Sequence, residues 1–172
     1  MDHNHGDPMT RHVHVYVSLE SDESGYPPFS VEELDASHQR GNHYRIESIP
    51  VFVHGMSRHD IVSVVRVVDD TRLWVERTIE PSGHWTIRVL PTNPSGLEEV
   101  ANEFRTLGCH SYATPFSLVA VDVPPDASVP NIMKTLQDGR EANRWDFDLG
   151  VLPPTSNSDF EEKKNGTSRV GP

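Results

Sequence analysis

The segment Ser82-Gly83-His84-Trp85-Thr86-Ile87-Arg88 carries the residues best suited to chemistry. Side chains alternate between the two faces of an extended strand. His84, Thr86 and Arg88 therefore share one face, and Trp85, Ile87 and Val89 the other. An imidazole, a hydroxyl and a guanidinium in a row can bind an anion or a carboxylate. Arg88 supplies a planar fork of donors, and His84 a group that titrates near neutral pH. Asp60 joins this candidate ligand-binding set as an acid able to orient the imidazole, with Glu76 as the alternative. If the site is catalytic, His84 is the candidate general acid or base, and Arg88 the stabiliser of an anion. The competing reading is a polar strand face in water, or Arg88 paired to an acid across the sheet.

Other constellations are weaker. His54, His59 and Asp60 gather around Gly55-Met56, and His12 and His14 lie two residues apart. Neither group has a third and fourth ligand at a recognised spacing, so no metal site is expected. His3, His5, His12 and His14 would bind nickel or zinc only opportunistically. Glu32, Glu33 and Asp35 come nearest to a carboxylate pair, but sequence neighbours face apart, so a solvated acidic face is expected. Asp146 and Asp148 read the same way. Cys109 has only a sequence neighbour, His110, as a base, which rarely has the right geometry; a buried small residue is expected there. No Gly-rich phosphate loop, Ser-centred elbow or His-Glu-x-x-His is present, and no cofactor is expected.

The elements that must position these residues follow from periodicity. Val13, Val15, Val17 and Leu19 alternate with polar partners, a half-buried strand. Glu20–Phe29 is a loop, and Ser30–Ser37 either a short strand or one helical turn. Gly41-Asn42 turns the chain before Tyr44 and Ile46, and Pro50 leads into Val51-Phe52-Val53. Ile61–Val68 reads as a strand covered on both faces. With Leu73–Ile79 and His84–Leu90 it predicts a three-stranded antiparallel meander. Leu97, Val100, Phe104 and Leu107 mark one face of a helix, with Ser95 and Glu98 as a capping box and Gly108 as its stop. Phe116–Val123 is a strand. A second helix starts at Ser128 and ends at Gly139, and a last strand holds Trp145, Phe147, Leu149 and Val151. From His84 onward the order is βαββαβ, the plan of a ferredoxin-like unit. The expected class is α+β: an N-terminal meander or barrel-like layer packed on that unit.

The 172 residues suit one domain, expected over 11–152, with 11–83 mainly β and 84–152 ferredoxin-like. Residues 1–10 and 153–172, polar and without periodicity, are expected to be disordered. A net charge of −11 argues against nucleic-acid binding. Residues 41–90 nonetheless balance six arginines against six acids. No apolar run is long enough to span a membrane, the start does not read as a signal peptide, and a single cysteine fits a cytoplasmic location.

Several phrases together resemble a known bacterial family. They are Val15–Leu19, Gly25-Tyr26-Pro27-Pro28, Tyr44-Arg45-Ile46 running to Ile49-Pro50-Val51-Phe52, Asp60-Ile61-Val62, Ser82-Gly83-His84 with Thr86–Val89, Leu107-Gly108-Cys109 and Leu118–Pro124. The family is the domain of unknown function numbered 4265, and the resemblance spans roughly residues 13–151. It implies no activity, cofactor or catalytic residue. This chain departs from the family pattern at His59, where the pattern has glycine. The function expected is a non-catalytic accessory or regulatory binding module for a peptide, a protein or a small anionic ligand, built on the His84/Thr86/Arg88 face. The alternative is a small metal-independent hydrolase or lyase. The oligomeric state is left open.

Overall fold

A computed structural model describes residues 12–151. The expected disordered ends, and His3 and His5 with them, lie outside the described residues. The protein is α+β and mostly strand: two sheets with two helices. Strands β1 (His12–Ser18), β2 (Val31–Arg40), β3 (His43–Ile46), β4 (Ile61–Val65) and β5 (Trp74–Glu80) close into a barrel. Successive barrel strands pair antiparallel, and Ser30–Ser37 resolves into the long strand β2. The alternation of β1 is realised in Val15, which is fully buried beside Leu34, Ala36, Ile46, Val62 and Val64. The barrel closes through one parallel bridge, Tyr16 opposite Trp74, with Tyr16 N–H donating to Leu73 O at 2.9 Å. Arg72 braces this short seam, its guanidinium 4.6 Å from the Trp74 ring centre and 5.7 Å from that of Tyr16.

The expected meander breaks after its second strand. β4 ends at Val65, and Val67 and Val68 are exposed, so the run is not covered on both faces. The β-branched residues set strand propensity, but nothing packs on the hairpin tip. Strand β6 (Trp85–Pro91) then leaves the barrel. Gly83 has φ of +81°, and the neighbouring Ser82 N–H is held by Asp60, so the chain turns away from β5. β6 becomes a central strand of the second sheet, whose order is β7-β8-β6-β9 with every neighbour antiparallel.

Helices α1 (Leu97–Thr106) and α2 (Val129–Glu141) cover one face of this sheet, with Phe104 and Ile132 in one core with Trp85, Ile87, Val119 and Val121. The hairpin β7 (His110–Ala113) and β8 (Val119–Val123) is broken around Pro115, and Phe116 stays outside β8. Two helix boundaries differ from the sequence reading. Asn93, not Ser95, accepts the capping hydrogen bond, because a 3-10 turn over Pro94–Gly96 precedes α1. Gly139 does not stop α2, which runs on to Glu141. It lies where the Trp145 indole of β9 (Trp145–Leu149) presses on the helix, and a Cβ there would fall 2.0 Å from that ring.

The other face of the sheet meets the barrel. Ile49, Val51, Phe52, Leu118 and Ala120 form the joining cluster. Residues 86 and 88 of β6, and His84 just before it, point into this junction, and there the candidate residues gather.

Candidate functional site

The Arg88 end of the junction is closed. Arg88 donates from Nε to Val51 O, from Nη2 to Val53 O at 2.5 Å and from Nη1 to Asp148 at 2.7 Å. Asp148 is its partner across β6 and β9, so the cross-sheet pairing weighed for Arg88 is the arrangement present. On the barrel side Glu32 grips the same connector. Its carboxylate accepts the N–H groups of Val51, Phe52 and Val53 at 2.6, 2.9 and 2.8 Å. One connector is thus held through its N–H groups by an acid and through its carbonyls by a base. The solvated acidic face expected over Glu32, Glu33 and Asp35 therefore fails at Glu32, which is buried. A strand carrying alternate apolar residues inward brought Glu32 inward with Leu34 and Ala36.

Thr86 is fully buried, with its hydroxyl 3.2 Å from that of Ser57. Asp60 is buried and spends both oxygens on backbone, accepting from Ser57 N–H at 2.9 Å and Ser82 N–H at 2.7 Å. Thr86, Arg88 and Asp60, three of the four residues read as ligand-binding, are interior struts. The polar side of β6 faces not water but the second layer of the molecule.

The His84 end is different. The His84 ring nitrogen Nδ1 lies 2.8 Å from Asp122 Oδ1. A carboxylate only accepts, so Nδ1 carries a proton toward Asp122, and Nε2 has no partner among the described residues. Asp122 takes the orienting place that the sequence reading gave to Asp60 or Glu76. Glu76 instead accepts a hydrogen bond from Ser63 within the barrel. Asp122 is fully buried, and its Oδ2 has no hydrogen-bond partner among the described residues. The nearest cation is Arg58, with Nη1 at 3.6 Å.

Arg58 donates from Nε to Glu47 O at 2.8 Å, and its other N–H groups are unspent among the described residues. The Ser82 hydroxyl donates to Arg58 O at 2.8 Å and accepts from His84 N–H at 3.2 Å, tying the two turns together. His59 completes the group: its ring centre is 4.9 Å from that of His84. Burial, then the neighbouring Arg58 and His84, hold the His59 imidazole below its ordinary pKa. His59 also has φ of +68°, in the left-handed region that favours glycine, so the position noted as unusual in the sequence is strained.

Arg58 borders a cleft of about 500 Å³ between barrel and sheet, with Glu47 and Ile49 on one wall and Cys109, His110 and Tyr112 on the other. Arg105, also on its rim, is spent on Glu98, Asn102 and Ser111 O. Burial, with Asp122 adding to it, pushes the Cys109 thiol up to about 12, so almost none of it is thiolate at neutral pH. His54 lies beside Arg88 and Asp148, apart from His59 and His84. Among the described residues no three His, Cys, Asp or Glu side chains converge on a metal position.

His84, singled out in the sequence, lies in this group; Asp122 and Arg58, which also lie in it, were not singled out. The signal for Asp122 was present: it is the one charge inside the apolar run Leu118–Val123, and a charge in a doubly covered strand needs a partner.

No helix among the described residues is long and apolar enough to cross a membrane. No curated protein matches the chain. Among solved structures, one described as a novel crystal structure of a hypothetical protein from Neisseria gonorrhoeae is similar, with a TM-score of 0.64 at 18% identity. The match covers 86% of this chain and 99% of that one, and it speaks to the fold alone. The model of the family described as "Domain of unknown function (DUF4265)" matches residues 32–147, a span that takes in Arg58, His59, His84 and Asp122, and the chain belongs to that family.

Proposed function

We propose that the protein is a non-catalytic accessory binding module that takes an anionic group, a carboxylate or phosphate on a small molecule or a peptide, at Arg58 and His84. One observation carries this reading: Arg58 keeps unspent donors at the edge of a cleft while every strong group around Arg88 is matched. A guanidinium beside one buried carboxylate at 3.6 Å is poised to trade that loose contact for a bidentate one. His84 adds a ring nitrogen, Nε2, that no other described residue uses. Asp122 positions both. A cytoplasmic location belongs to the same reading, supported by the single, buried cysteine.

The βαββαβ half is read as ferredoxin-like. The strand order β7-β8-β6-β9, with the first and third strands of the unit central, supports that assignment.

The test is an NMR titration of the histidine ring resonances with inorganic phosphate, acetate and citrate. The expected result is a saturable shift at His84 and His59 for at least one anion, weakened about tenfold or more in Arg58→Met. Unmoved histidine resonances, or equal binding by Arg58→Met, overturn the proposal.

A second reading has its own observation. A His–Asp pair at 2.8 Å with a free Nε2 is the orienting half of a general acid–base site. In that case Arg58, rather than the saturated Arg88, would stabilise developing negative charge. Turnover of a chromogenic ester by wild type and its loss in His84→Asn would favour this reading; equal rates in both would remove it.

A further inference from the structure

A second groove of the same junction adjoins the Arg58 cleft, sharing Ser48, Ile49 and Tyr112 with it. Five aromatic side chains meet on the surface from three separate segments: Tyr26 and Phe29 from the loop before β2, Phe52 from the connector, and Tyr112 and Phe116 from the β7–β8 hairpin. Phe52 is the buried centre, with ring centres 6.0 Å from Tyr26, 5.5 Å from Phe29 and 5.0 Å from Phe116. Phe29 and Phe116 also touch, at 5.2 Å. The four outer rings stay 39% to 48% exposed, although the protein holds only ten Phe and Tyr in all. Phe29, Phe52, Tyr112 and Phe116 line a groove of about 270 Å³, with Tyr26 beside it against Phe52, an association surface in composition and shape.

Charge selects the occupant. Val31, Glu33 and Leu34 of β2 form one wall of the groove. Glu33, and Asp35 two residues on at the edge of the groove, each expose more than half of the side chain, with His14 at 3.5 and 3.2 Å. Residues 16–40 contain six acids and only one arginine. A second copy of this chain is disfavoured, because a two-fold contact would set acid wall against acid wall. We propose that the groove docks an extended segment of a partner protein, with a Leu or Phe anchor on the rings and Lys or Arg beside it facing Glu33 and Asp35. β7, the outer strand of its sheet, carries Tyr112 into the groove, while its Ser111 O is already taken by Arg105.

The test uses the full chain and three short fluorescent peptides of one length, read by anisotropy. The first alternates Leu and Phe with Lys; the second replaces Lys by Glu; the third replaces Leu and Phe by Ser. The expected result is binding of the first about tenfold or more tighter than either control. Phe29→Ser/Phe116→Ser should weaken it about tenfold, and Glu33→Gln/Asp35→Asn by a few-fold with a flatter salt dependence. All four side chains are exposed, and circular dichroism checks that the variants fold. Phe29→Ser/Phe116→Ser should leave the anion response of His84 and His59 unchanged, so this proposal and the anion site fail separately. Equal binding of the Glu or Ser peptide overturns it. So does a dimer in light scattering that Phe116→Ser dissociates, since the groove is then covered by a second copy.

Discussion

Arg88 and Arg58 serve the same barrel–sheet junction in opposite ways. His84, just before β6, and Arg88 within it are four residues apart, about 13 Å in extended chain. At the Arg88 end donors and acceptors match: two carbonyls and Asp148 take the guanidinium, and Glu32 takes three N–H groups. At the Arg58 end the count does not close. Asp122 has an oxygen without a hydrogen bond, His84 a free nitrogen, and His59 sits in a strained backbone. The Arg88 side chain is 4% exposed and that of Arg58 25%. A fully matched polar network fixes geometry, whereas an unmatched one leaves free energy for a ligand to release. The closed end builds the junction, and the open end is where binding is to be sought.

The largest effect should come from breaking the closed end. Arg88→Met leaves the Val51 and Val53 carbonyls and Asp148 without their donor, and about 3–5 kcal/mol of stability should be lost. Urea denaturation measures it, and a loss under 1 kcal/mol would mean that Arg88 is no strut. Glu32→Gln is gentler. It keeps the shape but presents an amide NH2 to at least one of three N–H donors, for a cost of about 2–3 kcal/mol by the same measurement. If Arg88→Met were instead the harmless change and Arg58→Met the damaging one, the comparison between the two ends would be inverted.

The closed end also marks where the sequence could be read and where it could not. Val15, Phe104, Ile132 and Trp145 announced themselves by period, because an apolar face has only one place to go. The polar face of β6 was ambiguous, because alternation says that two faces differ without saying what covers the second. Water and a second layer of protein leave the same pattern in a strand. Glu32 was misread for a related reason: its neighbours Glu33 and Asp35 are solvated, and only pairing with β1 and β3 decides which of the three turns inward. Asp122 was legible in kind, as a charge needing a partner, but its partner lies 38 positions away. Arg58 had no local signal. Its availability is a property of what the other groups leave unspent, and that sum exists only in three dimensions.

His59 gives a prediction of opposite sign, because strain held at the open end should be recoverable. A side chain in the left-handed region costs about 1 kcal/mol that glycine does not incur, so His59→Gly should stabilise the protein by about that much. A pH effect comes with it. The folded pKa of His59 lies below the unfolded value of about 6.5, so the folded state binds this proton less readily. The contribution is therefore fully present above about pH 6.5 and is lost as pH falls toward the folded value. Wild type should weaken relative to His59→Gly as pH drops from about 7.5 to about 5.5. A constant gap between the two denaturation curves would mean that His59 is not held neutral by the fold.

The smallest stability effect should belong to the residue with the largest functional one. Arg58→Met removes one hydrogen bond to Glu47 O and a 3.6 Å contact with Asp122, and it keeps the aliphatic stem against the cleft wall. Partly exposed pairs of this length contribute little, so the midpoint of urea denaturation should move by less than about 1 kcal/mol in equivalent stability. The same substitution should remove the anion response of His84 and His59. That combination separates an available cation from a structural one, since a strut cannot be removed without cost and a ligand group can. A loss near that of Arg88→Met would place Arg58 among the struts, with the 3.6 Å approach to Asp122 acting as a buried ion pair despite its length. The two ends of the junction would then be equally closed, and the search for a ligand would move to the aromatic groove.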